Sequence, residues 1–307
     1  MKKNNLMKLK NSLIIVLCLL LTACGGKNKK EKIDMNSLLK EGQEANLEIS
    51  PESLNAIIES IPSPLEIAMV IKQSGFEFNE KMLNKQDNAK FYTTDQDKAL
   101  NIGVYSGDLG YINIYEKAYM TVNYLTSIKS LADDIHVGQF FDFSTIKRMA
   151  SNSDKMDSLI FLTTNNFNKM DGFLRSQKRS NLSILMVTGT WTEGLYIATQ
   201  VAKENKNKEI TDWVGYQKII VDQLILGLSA YKNDDYFQKI VADLKGLKSV
   251  YDGITITYDY HEPESVEVDG RLVIVDKSTS TVNISEAQLN QIGDLVTKMR
   301  SRLVKNS

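Results

Sequence analysis

The chain has 307 residues, 42% hydrophobic and 24% charged, with 37 basic residues against 38 acidic ones. That composition excludes wholesale disorder, which goes with fewer apolar residues and more net charge. The near-zero balance argues against nucleic-acid binding by a broadly basic surface. Two cysteines cannot form a disulfide framework, and four prolines favour long helices over a strand-and-turn architecture.

Lys2, Lys3, Lys8 and Lys10 precede an apolar run from Leu13 to Leu21. The run is shorter than the ~20 residues of a spanning helix and fits the hydrophobic region of a secretory signal. It ends in Leu21-Thr22-Ala23-Cys24-Gly25, which resembles the lipobox of bacterial lipoproteins. Small residues before the cut let the peptide enter the peptidase extended, and the Cys24 thiol takes a thioether-linked diacylglycerol. The competing readings are a plain signal peptide with a chance cysteine and an uncleaved anchor helix. On the lipobox reading residues 1–23 are removed and Cys18 leaves with them. Cys24 is blocked by lipid, so cysteine catalysis and thiolate metal sites fall away together. The mature chain keeps 33 basic residues against 38 acidic ones. Gly25 stands where an Asp would retain a lipoprotein at the inner membrane of many Gram-negative bacteria. By resemblance to that rule the expected location is the outer membrane, with the leaflet open. Residues 24–45 read as a lysine-rich flexible tether.

Residues 46–307 read as one mainly α domain: packed helical hairpins, a small C-terminal β-hairpin or three-stranded sheet, and a final helix. Ser50-Pro51 opens the first helix, with Leu54, Ile57, Ile58 and Ile61 on one face. Ser63-Pro64 opens the second, with Glu66 placed for a capping box and Gly75 for the stop. Thr94 to Asp97 starts the next, and a stripe through Tyr111, Tyr115, Tyr119, Val122 and Leu125 runs to about Ala132. A short helix near Met149 follows, then a longer one from Asp154. Asn181 is expected to cap a helix that is apolar all round, hence central, reaching about Glu204. Thr211 to Tyr231 and Asp235 to Tyr251 complete the helical body. Gly253 to Tyr258 alternates with period two, Val268-Asp269-Gly270-Arg271 reads as a hairpin turn, and Ser285 with Gln288 forms a capping box for the last helix.

Two segments place glycines and hydroxyls inside helices: Gly103 to Tyr111, and Thr188 to Tyr196. A helical glycine costs up to ~1 kcal/mol against alanine, so it needs a reason. Close helix approach is the favoured one. The other is a pocket presenting Asp108 and Glu193, with Tyr111, Trp191 and Tyr196 nearby. A weak echo at an offset of 84 pairs Ile102 with Met186, Ser106 with Thr190 and Gly110 with Gly194. Neither segment matches a phosphate loop. Asp133-Asp134-Ile135-His136 and His261-Glu262-Pro263-Glu264 read as polar loops, and Asp95-Gln96-Asp97 lacks the glycine and closing glutamate of a calcium loop. No metal, cofactor or nucleic acid is expected.

The runs Gly103-Val104-Tyr105-Ser106-Gly107-Asp108-Leu109-Gly110-Tyr111 and Trp191-Thr192-Glu193-Gly194-Leu195-Tyr196-Ile197-Ala198 resemble those of a group of uncharacterised Bacteroidota lipoproteins. The likeness spans Ile61 to the C-terminus. It implies a helical lipoprotein of the outer envelope and brings no activity or catalytic residue. The expectation is a lipid-anchored, non-enzymatic module that meets the membrane through its N-terminal lipid and binds an envelope protein or a small ligand. Two alternatives stand beside it: a hydrolase using Asp108 and Glu193 in an interhelical pocket, and a structural part of an envelope complex.

Overall fold

The structure, a computed structural model, describes residues 49–61, 64–140, 142–150, 156–268, 271–275 and 277–304. The signal segment, Cys24 and the tether lie outside the described residues, as do Ser63 and Asp154. The architecture is mainly helical, with ten α-helices among the described residues and a small antiparallel region before the last one.

The first helices follow their punctuation. In α1 (Pro51–Ser60) the Ser53 amide donates to Ser50 Oγ at 3.1 Å, with proline next to the cap. Then α2 (Pro64–Gln73) is followed by Gly75 at φ 78°. A connection with two 3-10 turns, Glu80–Met82 and Gln86–Phe91, leads to α3 (Asp95–Ile114), capped by Thr94.

The tyrosine stripe is not one helix. α3 stops at Ile114, and α4 (Ala118–Asp134) begins after a reversal at Glu116, φ 58°. There the Lys117 amide donates to Ile112 O at 3.1 Å and the Glu116 amide to Asn113 O at 3.0 Å. These are the two bonds of a Schellman stop, which satisfy the last helical carbonyls. The same pair of bonds recurs at His136, φ 60°, ending α4, and at Lys178, φ 59°, ending α6 (Met156–Ser176). Between those two lies the short α5 (Phe143–Ala150).

Two starts differ from the expected ones. The central helix α7 (Ser180–Glu204) has Arg179 at its cap and no side-chain capping bond, because the Schellman turn before it already sets the chain direction; Asn181 is inside the helix. α8 (Lys208–Ser229) begins a turn before Thr211, since Asn207 Oδ1 accepts from the Glu209 and Ile210 amides at 2.8 and 3.2 Å. α9 (Asp235–Tyr251) and α10 (Glu286–Leu303) follow, the latter with the full Ser285–Gln288 capping box.

α7 is the hub: it packs most extensively on α3 and also on α1, α2, α6, α8 and α10. It buries residues on every side, from Leu182 to Ala202, as expected of a helix apolar all round.

The strands β1 (Thr255–Asp259), β2 (Glu264–Val268), β3 (Arg271–Val275) and β4 (Thr279–Asn283) form two separate two-stranded ladders, β1–β4 and β2–β3, and not one three-stranded sheet. Both are antiparallel and nested, so the region is a hairpin arm with a break at residues 260–263. Among the described residues its base is the anchored part: Val282 is buried against Gly215 of α8, where a Cβ would sit 2.3 Å from Val282 Cγ1. The expected turn residues Asp269 and Gly270 lie outside the described residues.

Candidate functional site

The crossing of α3 and α7 is built on glycine. A Cβ at Gly103 would lie 1.8 Å from Met186 O, and one at Gly189 would lie 1.9 Å from Leu100 O. Both contacts are with backbone, so a methyl group could enter only by moving the helices apart. Thr190 Oγ1 donates to Gly103 O at 3.0 Å across the same contact. One turn further, a Cβ at Gly107 would sit 2.9 Å from Glu193 Cβ. Close approach is therefore the reason for these glycines. Of the residues of the 84-residue echo, Met186 and Thr190 lie against Gly103 in this crossing, whereas Gly110 has no atom within 4 Å of where a Cβ would be.

The crossing has two sides with different chemistry. On one side lies a sealed ionic network. Asp108 and Glu193 are each 0% exposed, and Arg300 of α10 is 7% exposed. Arg300 grips Glu193 with two bonds, Nε to Oε2 and Nη2 to Oε1, both 2.6 Å. Nη2 also donates to Met82 O at 3.0 Å, and the guanidinium lies 4.2 Å over the Tyr196 ring. Asp108 Oδ2 accepts the Asn84 amide at 3.2 Å, while Oδ1 receives no donor. Burial and then the Glu193 charge push the Asp108 carboxyl well above its usual range, despite Arg300, and Glu193 is its hydrogen-bonding neighbour. A neutral Asp108 donating to Glu193 fits both facts, since the hydrogen bonds of Arg300 go to Glu193 and Met82 O and none goes to Asp108. Burial disfavours the Arg300 charge, but Glu193 more than reverses this and raises its pKa.

Tyrosines seal this side. Asn84 Nδ2 donates to Tyr92 Oη at 3.0 Å, Tyr124 Oη donates to Asn84 O at 2.9 Å, and Tyr105 Oη donates to Lys85 O at 2.8 Å. Tyr92 Oη in turn donates to Val304 O at 2.9 Å. Burial pushes the Tyr92 hydroxyl up to about 12 and raises those of Tyr105 and Tyr124 further, so all three act as neutral donors. The connection over residues 79–92 is thus pinned as a cover over the carboxylates.

Of the residues singled out from sequence, the fold brings together Asp108, Glu193 and Tyr196. It places Tyr111 elsewhere, accepting the Asn79 amide at 3.2 Å and stacked on Phe78. Trp191 faces α8, its Nε1 donating to Gln217 Oε1 at 2.9 Å. Arg300 and Asn84 were not anticipated. Arg300 lies next to Met299 on the apolar stripe of α10, and a basic residue there was the available signal of a buried anion. Nothing local marks Asn84.

On the other side of the crossing is a cleft of about 420 Å³. Ser106, Gly110 and Asn113 line it from α3, spaced by four and three and so on the face away from Asp108. Met186, Val187 and Thr190 line it from α7, and Ile160, Thr163 and Phe167 from α6. Its floor is apolar, and its remaining polar groups are hydroxyls and amides. One end is closed by an ion cluster: Arg175 Nη1 bonds Glu59 Oε1 at 2.7 Å and Nε bonds Asp171 Oδ2 at 2.9 Å. Neither Asp108 nor Glu193 lines this cleft.

Of the two acidic–histidine runs expected to be polar loops, the first begins inside a helix, Asp133 and Asp134 being the last residues of α4, and both make surface contacts. Asp133 pairs with Lys129 and Asp134 with Lys98, while His136 occupies the left-handed stop of α4. Glu264 pairs with Lys277 at 2.6 Å. No family model, no curated protein and no solved structure matches the chain.

Proposed function

We propose that this protein is a lipid-anchored envelope lipoprotein whose helical body is a non-enzymatic binding module, with the cleft between α6 and the α3–α7 crossing as its ligand site. The carrying observation is the division of α3 into two faces. Its fully buried carboxyl, Asp108, sits in a sealed network with Glu193 and Arg300, whereas its cleft face offers Ser106, Gly110 and Asn113 over an apolar floor. A concave apolar surface with a few convergent polar groups is the usual form of a small-molecule site. The ligand class that fits is a neutral molecule with an apolar body and hydroxyl or amide groups.

The hydrolase alternative asks for Asp108 and Glu193 in an open cleft. They lie together, yet one is held by a backbone amide, the other by a bidentate arginine, and both are out of reach of solvent. Lipidation at Cys24 and residence at the outer membrane rest on the lipobox pattern and on the likeness to the Bacteroidota group.

A thermal-shift screen tests the binding site. Gly110 has no atom within 4 Å of where a Cβ would be, so Gly110→Phe fills the cleft without a backbone clash. Ligands that raise the Tm of the wild type should lose that effect with Gly110→Phe. Hits that stabilise both chains equally would refute the assignment of the site.

A further inference from the structure

The β2–β3 ladder carries no buried residue among those described, yet Leu272 is 77% exposed, Val273 41% and Ile274 73%. The apolar side chains lie on both faces: Leu272 and Ile274 on one, Val273 and its cross-strand neighbour Val266 on the other. A lone two-stranded hairpin is marginal in water and needs more strands or a packed face. β3 also lacks the usual guards of a free edge, having no proline, no lysine and no charge at positions 272–274.

The register says what such an edge can accept. Val268 pairs with Arg271, leaving two residues between them, so this is the closing hydrogen-bonded pair of a tight hairpin. Hydrogen-bonding direction alternates along a strand. Arg271, Val273 and Val275 therefore turn their backbone groups to β2, and Leu272 and Ile274 turn theirs outward. An antiparallel copy of the same strand, related by a two-fold axis at Val273, sets Leu272 opposite Ile274 of the second copy. Neither residue has a backbone partner outside β2 among the described residues. Other two-fold registers satisfy the same alternation, but this one alone overlaps all five residues. No like charges meet at its centre, and the nearby Glu264 is already neutralised by Lys277.

We propose that the outer edge of β3 pairs with the same edge of a second copy of this chain, giving an intermolecular antiparallel sheet in the order β2–β3–β3–β2. Completion to four strands supplies what the isolated hairpin lacks. A five-residue edge buries less than the ~1,200–2,000 Å² of a stable interface, so the pairing is weak and depends on concentration.

The test is Val273→Cys in the full chain, mildly oxidised and run on a non-reducing gel. At a two-fold axis the two Val273 positions form a non-hydrogen-bonded pair with Cα atoms about 4.5 Å apart, within disulfide range. The wild-type chain, run under the same oxidation, sets the background, and Thr257→Cys on the arm's β1 strand is the control. Val273→Cys should give roughly ten-fold more disulfide dimer than the control. Adding Leu272→Lys should cut that yield at least about five-fold while circular dichroism stays unchanged, because lysine guards an edge. The proposal is overturned if Val273→Cys dimerises no more than Thr257→Cys, or if Leu272→Lys leaves the yield unchanged. It is also overturned if the arm is shielded only by added phosphatidylcholine vesicles, which would make a lipid surface the occupant.

Discussion

The buried carboxyl pair makes a pH-dependent prediction for Asp108→Asn. In the folded protein Asp108 holds its proton well above the usual carboxylate range, chiefly through burial. The unfolded chain releases that proton near pH 4. Between about pH 4 and the native pKa of Asp108, wild-type stability therefore falls by up to ~1.4 kcal/mol per pH unit, because the native state keeps a proton that the unfolded state has lost. Below about pH 4 both states are protonated and the penalty vanishes. Asparagine keeps the geometry: its oxygen can accept the Asn84 amide and its NH₂ can donate to Glu193. It removes the titration. The stability of Asp108→Asn minus that of the wild type should thus be near zero at pH 4 and grow in favour of the variant as pH rises. For a body of this size that is roughly 3–6 °C of Tm per pH unit until the native pKa is passed. Differential scanning calorimetry of both chains from pH 4 to pH 8 measures it. A difference that is flat with pH, or a variant that loses ground as pH rises, would show that the two carboxyls do not share a proton.

Three further outcomes follow from the same contacts. Arg300→Leu leaves Glu193 charged and buried, and should cost about 3–5 kcal/mol in urea unfolding, whereas Glu193→Leu combined with Arg300→Leu should recover most of it. Gly103→Ala and Gly110→Ala should differ in sign. The first drives a methyl into the Met186 carbonyl and destabilises by about 1–3 kcal/mol or more, while the second faces open space and gains up to ~1 kcal/mol of helix propensity. Lys178→Gly should stabilise by about 1 kcal/mol, because it relieves a left-handed conformation at φ 59°; equal or lower stability in thermal melts would count against that reading of the α6 stop.

Much of the helical framework was legible because its signals are local. Ser50, Thr94 and the Ser285–Gln288 box each cap the helix that they announce, and the glycines at 103 and 189 mark a close crossing. The missed start of α8 comes from the Asn207 cap, and the other missed helix boundaries share one physical source. Three helices end in Schellman turns whose left-handed residue is Glu116, His136 or Lys178, so the glycine that normally betrays such a stop is missing. The Tyr111–Tyr115–Tyr119 stripe thus reads as continuous in the sequence, and Asn181 has the look of a cap that the preceding turn makes unnecessary. The candidate site was half legible. Asp108 and Glu193 stood out as carboxylates among apolar residues, but their partner Arg300 lies 107 positions beyond Glu193, and Asn84 contributes a backbone amide that no side chain advertises. The cleft is a product of how α6 lies against α3 and α7, which no periodicity within one helix records.

The proposed function rests first on the proposed residence at the cell boundary, and labelling of Cys24 tests that most directly. Cells fed radiolabelled palmitate should incorporate it into the wild-type chain and not into Cys24→Ser, which should also leave the membrane fraction. Label retained by Cys24→Ser, or none in the wild type, would contradict the account.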